Sequence, residues 1–135
     1  MRISILLILI LFGAFSQKVE RDPRLVGRWM HLYDLNPSGE VVKDEFYGKN
    51  YVKTYYRDGR MVYDAQMFRD ADKRNGIKAP FDYADIPVLE WKTTNNQLLT
   101  LMHALGTQES RYGFAGDTLI HGYPTGYTSH HVRVK

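Results

Sequence analysis

The stretch "YVKTYYRDGRMVYDA", residues 51–65, alternates apolar and polar side chains on both sides of an Asp-Gly pair. Alternation with period two is typical of a β-strand that is buried on one face. Asp58-Gly59 favours a two-residue turn, because both residue types tolerate the positive φ angles that such a turn requires. The stretch therefore predicts an antiparallel hairpin that turns at Asp58-Gly59.

The predicted turn also assigns the side chains of this hairpin to two faces, because neighbours along a strand point in opposite directions. It places Tyr56 opposite Met61 and Thr54 opposite Tyr63. The predicted inner face holds Val52, Thr54, Tyr56, Met61, Tyr63 and Ala65. The predicted outer face holds Lys53, Arg57, Arg60 and Asp64.

Two further hairpins follow the same plan. In "RYGFAGDTLIHGY", residues 111–123, a turn at Gly116-Asp117 groups Tyr112, Phe114, Leu119, His121 and Tyr123. In "EWKTTNNQLLTLM", residues 90–102, a turn at Asn95-Asn96 groups Leu89, Trp91, Thr93, Leu98, Thr100 and Met102.

Additional strands are predicted near residues 25–35, 40–47 and 128–134, which makes about eight to nine antiparallel strands in an all-β chain. Closure into an up-and-down barrel would hide the strand edges, so we predict a β-barrel, with a sandwich as the competing architecture. Residues 69–87 interrupt the alternation. They predict either a lid, with Phe81, Tyr83 and Ile86 folded back on one barrel end, or a surface crossover or short helix without a role in binding.

The first 16 residues predict an export signal. One Arg precedes an apolar run, and Ala14 and Ser16 occupy the small-residue positions of a cleavage site. The run from Ile3 to Phe12 is too short for a membrane-spanning helix, which needs about 20 apolar residues. We expect residues 1–16 to be a cleaved signal peptide, residues 17–24 an N-terminal extension and residues 25–135 one barrel domain that is secreted or periplasmic.

The composition excludes several kinds of partner and chemistry. Cleavage removes only Arg2, which leaves 17 basic and 15 acidic residues. Basic and acidic residues alternate along the chain, whereas a nucleic-acid binder concentrates its basic residues on one surface. No cysteine is present, so the 135-residue chain can have no disulfide or thiolate metal site. We expect no nucleic-acid partner and no insertion in a membrane after cleavage. No particular protein partner is indicated.

The sequence predicts neither catalysis nor a metal or cofactor. No serine lies in a Gly-x-Ser-x-Gly motif, and the serines after the leader are Ser38, Ser110 and Ser129. His130 and His131 are neighbours on a strand and should point to opposite faces, whereas His103 and His121 could both face inward. Residues 70–81 have the wrong spacing for a calcium loop, because Phe81 stands where a bidentate Glu is required.

"LVGRWMHLYDL", residues 25–35, predicts a first strand that carries a large apolar side chain soon after a glycine. Gly27 allows a close approach of the chain, and Trp29 can plug one end of a barrel. Arg133 lies on the predicted last strand, next to the first one if the barrel closes. A guanidinium on the indole face would seal that end by cation–π contact.

These features together resemble the lipocalin superfamily, and in particular small secreted bacterial lipocalin-like domains that begin "L-x-G-x-W" and end with a "Y-x-F-x-G-D-x-L" hairpin and a short strand bearing Arg. The resemblance extends from Leu25 to Lys135 and depends on Leu25, Gly27, Trp29, Asp58, Gly59, Tyr112, Phe114, Gly116, Asp117, Leu119 and Arg133. It implies a barrel with a small cavity and an apolar ligand. The chain lacks the disulfides and the C-terminal helix of larger members.

We therefore expect an exported protein that binds a small hydrophobic or amphiphilic molecule at the barrel end opposite Trp29. The predicted ligand-binding residues are Tyr56, Tyr63, Trp91, Tyr112 and His121. A small, partly polar molecule suits so many tyrosine hydroxyls better than a long acyl chain. The alternative is a packed barrel without a ligand that acts as an interaction or scaffold protein.

Overall fold

A computed structural model describes residues 20–77 and 88–135, in which eight antiparallel strands form one closed barrel. Strands pair in sequence order, and the last strand pairs with the first. The predicted all-β, up-and-down architecture is therefore confirmed. The strands are β1 (Gly27–Leu35), β2 (Val52–Tyr55), β3 (Arg60–Val62), β4 (Leu89–Thr93), β5 (Leu98–His103), β6 (Gly106–Ala115), β7 (Thr118–Gly122) and β8 (Thr128–Val134).

Within the described residues, two helical segments accompany the barrel: a 3-10 helix, Pro23–Leu25, and an α-helix, α1 (Ala65–Arg74). Asp64 caps α1, because its carboxylate accepts a hydrogen bond from the Gln66 amide at 2.9 Å. The helix includes the start of the segment for which we predicted a lid or a crossover. The rest of that segment, with Phe81, Tyr83 and Ile86, lies outside the described residues, as do the predicted signal peptide and Gln17 to Val19.

Across residues 20–77 and 88–135, neither helix has the length and apolar character needed to cross a bilayer.

The hairpin of β6 and β7 forms as predicted. Ala115 pairs with Thr118, so Gly116 and Asp117 make a two-residue turn, and Gly116 has a φ of 60°. The inner face of this hairpin is the predicted one, since Leu119 and His121 are fully buried. Local turn chemistry therefore sufficed to determine this register.

The predicted register of the β2–β3 hairpin is wrong by one residue. The Tyr56 amide donates to the Arg60 carbonyl, which makes a three-residue loop that ends at Gly59 with a φ of 100°. Tyr55 therefore pairs with Met61. A one-residue shift exchanges the two faces of a strand, so Lys53 and Tyr55 point inward where Thr54 and Tyr56 were expected.

The β4–β5 hairpin shows the same error. Thr93 pairs with Leu99, and the loop contains three residues, of which Gln97 has a φ of 58°. Leu99 and Leu101 line the barrel interior where Leu98, Thr100 and Met102 were expected. Leu89, Trp91 and Thr93 are buried as predicted.

The strand predicted near residues 40–47 is absent from the described structure. Only Val41 pairs there, in an isolated bridge with Leu35, and residues 44–49 form turns with amide-to-carbonyl hydrogen bonds such as Tyr47 to Asp44. Asp44 also accepts a hydrogen bond from the Phe46 amide, which stabilises the turn in place of strand pairing.

One end of the barrel is sealed around Trp29, which is 1% exposed. Arg133 lies directly opposite on β8, with its guanidinium carbon 4.3 Å from the indole centroid, so the contact predicted from these two residues is present. Arg133 also donates to the carbonyls of Val26 (2.9 Å) and Arg24 (2.6 Å). The indole nitrogen donates to the Leu25 carbonyl at 2.8 Å, which ties the 3-10 helix to the barrel.

The residues before the first strand belong to this sealed end. The Thr93 amide donates to the Glu20 carbonyl, and Arg21 donates through Nε to the Trp91 carbonyl, both at 2.9 Å. Asp22 accepts a hydrogen bond from the Tyr112 hydroxyl at 2.9 Å. Residues 20–26 therefore cover the sealed end of the barrel from outside.

Candidate functional site

A cavity of about 160 Å³ lies at the barrel end opposite Trp29. Its lining combines apolar and polar side chains, contributed by six of the eight strands, the helix and the loops next to them. The residues that line it are His31, Asp34, Phe46, Tyr51, Val52, Lys53, Tyr55, Tyr63, Asp64, Met67, Leu99, Leu101, Gln108, Ser110, His121, Tyr123, Ser129 and His131.

An irregularity in β1 brings two polar side chains into this cavity. Pairing with β8 shifts between His31 and Tyr33, so that Leu32 is an extra residue in the ladder. Because a bulge reverses the alternation beyond it, both His31 and Asp34 face inward. Nε2 of His31 lies 2.8 Å from a carboxylate oxygen of Asp34.

Lys53 reaches the cavity from β2 and contacts His121 on β7. Its Nζ lies 2.7 Å from Nε2 of His121 and 5.4 Å from the centroid of the Tyr55 ring. With the amine as donor, the ring proton of His121 resides on Nδ1. His131 lies beside His121, with ring centroids 5.4 Å apart in an edge-on contact. Lys53 is the only lysine or arginine among the described residues of the lining.

Four buried side-chain atoms in the described part of the chain have no hydrogen-bond partner in the protein. They are Nδ1 of His31, Nδ1 of His121, Nδ1 of His131 and the hydroxyl of Tyr55. All four residues line the cavity. A buried polar atom without a partner costs about 1 to 3 kcal/mol, so their concentration in one place indicates a surface suited to a polar group of a ligand.

Burial determines the charge state of most of these groups. Burial lowers the pKa of Lys53 to about 7, although the Asp34 carboxylate opposes the shift. Burial also lowers the pKa of His121 and of His131, and the nearby Lys53 adds to both effects, so these rings are neutral. For Asp34, burial acts to raise the pKa, but hydrogen bonds from His31 and Ser129 outweigh it and hold the carboxyl below its ordinary value.

Two of the five predicted ligand-binding residues line the cavity. Tyr63 projects into it from just beyond β3, and His121 from β7. Tyr56 does not, because the longer loop turns it outward, where it is 39% exposed and stacks against the Arg60 guanidinium. Its placement in the bore was wrong.

Trp91 and Tyr112 point inward but do not line the cavity. Trp91 is fully buried deeper in the barrel, where its ring edge meets Tyr55 and its indole nitrogen donates to the Tyr56 carbonyl at 2.9 Å. Tyr112 lies at the sealed end, bonded to Asp22. Their inward direction was predicted correctly, but their position along the barrel axis was wrong. That position depends on the stagger of the strands, which local sequence patterns do not specify.

The other histidines lie in different environments. His131 faces the cavity, and His130 stacks on Tyr33 on the other face of β8, as their adjacency predicted. His103 is exposed and accepts a hydrogen bond from the Leu105 amide, so of the two histidines that could face inward only His121 does.

Lys53, Asp34, His31 and Ser129 also line the cavity but were not predicted from the sequence. Lys53 was placed outside because of the shifted register, and Asp34 requires the bulge. Of these four residues, only Lys53 had a signal in the sequence. Tyr51, Lys53 and Tyr55 alternate along the strand in the same way as Val52, Thr54 and Tyr56, which were predicted to face inward.

Among the described residues, no group of three or more His, Asp and Glu side chains is placed to hold a metal ion. No family model matches the chain, and comparisons with curated proteins and with solved structures return no match.

Proposed function

We propose that this chain is an exported, lipocalin-like binding protein that holds a small amphiphilic molecule in the cavity opposite Trp29. The closed eight-stranded barrel with one sealed end is compatible with that fold. The observation that carries the proposal is the concentration of unpartnered polar atoms on the cavity wall, beside apolar surface from Leu99, Leu101 and Met67. A ligand with a polar head and an apolar body would match both parts.

The size of the cavity limits the ligand. A cavity of about 150 Å³ can hold one benzene molecule, so 160 Å³ suits a single ring or a chain of a few carbons. A long acyl chain would not fit without a rearrangement of the wall. The hydroxyls of Tyr55, Tyr63 and Tyr123 would also be poor neighbours for methylene groups.

We expect saturable binding of single-ring probes to the purified barrel. Benzyl alcohol, phenol, benzylamine and sodium benzoate should be titrated separately and followed by ligand-observed NMR. A Ser110→Phe variant, which places a ring inside the cavity, should lose binding. Tyr112→Phe is the matched control and should retain it, because Tyr112 lies at the sealed end.

Thermal melts of both variants would show that each is folded. If the wild-type protein binds none of the four probes, ligand binding is refuted, and a packed scaffold that acts through surface partners replaces it.

A further inference from the structure

We propose that the cavity is specific for a small organic acid, whose carboxylate binds Lys53. The inference rests on the proposed function and names the chemical class of the ligand. It follows from the position of one cation that forms no ion pair with the described groups around it.

Lys53 forms no ion pair in the described structure, although the Asp34 carboxylate, which lies beyond 4.0 Å, acts to raise its pKa. Its hydrogen-bond partner is a neutral imidazole, Nε2 of His121 at 2.7 Å, and no described carboxylate lies within 4.0 Å of it. A buried amine without a paired anion is costly in its charged form. A ligand carboxylate beside Nζ would remove much of this cost.

The two carboxylates of the described lining are hydrogen-bonded to groups other than Lys53. Asp34 bonds His31 at 2.8 Å, and Asp64 accepts the amides of Val52 and Gln66, both at 2.9 Å. Asp64 thereby joins β2 to the start of α1. Neither can turn to Lys53 without breaking these bonds.

Other polar atoms of the cavity are hydrogen-bond donors, which favour a ligand with a carboxylate over one with an amine or a neutral polar group. Nδ1 of His121 carries a proton when Nε2 accepts from Lys53, and it has no protein partner. The Tyr55 hydroxyl also lacks a partner and can donate to a carboxylate oxygen. Charge-assisted hydrogen bonds of this kind are about twice as strong as those between neutral groups.

Charged and titratable groups face the cavity from several elements. They are His31 and Asp34 on β1, Tyr51 and Tyr55 at β2, Tyr63 and Asp64 after β3, His121 and Tyr123 at β7, and His131 on β8. Burial raises the pKa of Tyr55, Tyr63 and Tyr123, so these phenols remain neutral near pH 7. Lys53 is the only amine of the described lining, so a carboxylate bound beside it would favour its protonated form.

This arrangement couples binding of the acid to uptake of a proton. The acid prefers the protonated amine, which is the main form below pH 7 and declines above it, since burial lowers the pKa of Lys53 to about 7. Affinity for the acid should fall about tenfold from pH 6 to pH 8. Affinity for a neutral ligand of the same size should change little.

The test compares sodium benzoate with benzyl alcohol by isothermal titration calorimetry at pH 6 and pH 8, using the protein without its predicted leader. At pH 6 benzoate should bind about tenfold more tightly than benzyl alcohol. Lys53→Met should abolish this preference and its pH dependence. Lys92→Met is the matched control, because Lys92 is an exposed residue of β4, and it should behave as the wild type.

A second measurement needs no variant. At pH 8, titrations in two buffers with different heats of ionisation should show uptake of close to one proton per benzoate and none per benzyl alcohol. Equal affinity for the two probes, or a preference that persists in folded Lys53→Met, overturns the acid specificity while the proposed function stands. Failure of every single-ring probe to bind overturns both.

Discussion

At the scale of single residues, the sealed end explains why a glycine precedes Trp29 by two positions. Gly27 has a φ of 133°, and a Cβ built on it would lie 2.6 Å from Nη1 of Arg133. The missing side chain therefore leaves room for the guanidinium that covers the indole. The pair also organises the backbone before β1, because Arg133 bonds two of its carbonyls.

Trp29→Ala should lower the free energy of unfolding by about 3 to 5 kcal/mol, because it removes a fully buried ring from a core that cannot collapse completely. Arg133→Ala should cost less, about 1 to 2 kcal/mol, since the cation–π contact and the packing of its stem are lost at a partly exposed position. Urea denaturation checks both values. Arg28→Ala, at an exposed position of β1, serves as the control. Equal stability of Trp29→Ala and wild type would contradict the stabilising role of the Trp29–Arg133 contact.

At the scale of elements, the three hairpins differ in loop length and therefore in which face they bury. Gly116-Asp117 makes the two-residue turn predicted from its residues, whereas the loops that contain Asp58-Gly59 and Asn95-Asn96 each use a third residue. That extra residue reverses the alternation of β2 and β5. Lys53 owes its place in the cavity to this reversal.

Gly59→Ala should destabilise the protein more than Gly116→Ala. Both positions have positive φ, which costs an L-residue about 1 to 2 kcal/mol. At Gly59 a Cβ would also lie 2.4 Å from Nη2 of Arg21, whose bond to the Trp91 carbonyl must then move, whereas nothing lies within 4 Å at Gly116. We expect an additional loss of about 1 kcal/mol at Gly59.

Chemical denaturation of the two alanine variants measures this difference directly. A smaller loss for Gly59→Ala than for Gly116→Ala would show that Arg21 does not constrain the hairpin.

At the scale of the whole molecule, the barrel has two ends with different chemistry. One is closed by Trp29, Arg133 and residues 20–26, and the other surrounds the polar cavity beside the start of α1. No cysteine strengthens either end, so non-covalent contacts such as packing, hydrogen bonds and the cation–π contact of Arg133 with Trp29 hold the barrel together. Such a barrel needs no oxidising compartment to fold, and its proposed export depends on the leader alone.

When the full chain is expressed in a bacterium, we expect the protein outside the cytoplasm to begin at Gln17. The apolar run of residues 3–12, followed by Ala14 and Ser16, has the pattern of a signal for export and cleavage. Intact-mass analysis of the periplasmic and secreted fractions tests this. Exported protein that retains Met1 would contradict the cleavage site, and an Ala14→Arg variant, which disrupts the small-residue positions, should reduce processing.

By itself, the sequence determined the all-β class, the antiparallel up-and-down order of the strands, the Gly116-Asp117 turn, and the contact of Arg133 with Trp29. Each of these depends on local alternation, on turn residues, or on the closure that eight strands need to hide their edges. The burial of Trp91 and Tyr112 and the inward position of Tyr63 and His121 follow from the same patterns.

Only the tertiary structure decided the register of β2 and β5, the bulge in β1 and the loss of the strand at residues 40–47. Two-residue and three-residue loops are both compatible with these turns, so the choice depends on which face packs best against the other strands. For β2, that choice brings Tyr55 against Trp91 and Lys53 against His121. The candidate site consists largely of residues placed by such long-range contacts, and this is why the sequence located its end of the barrel but not its cation.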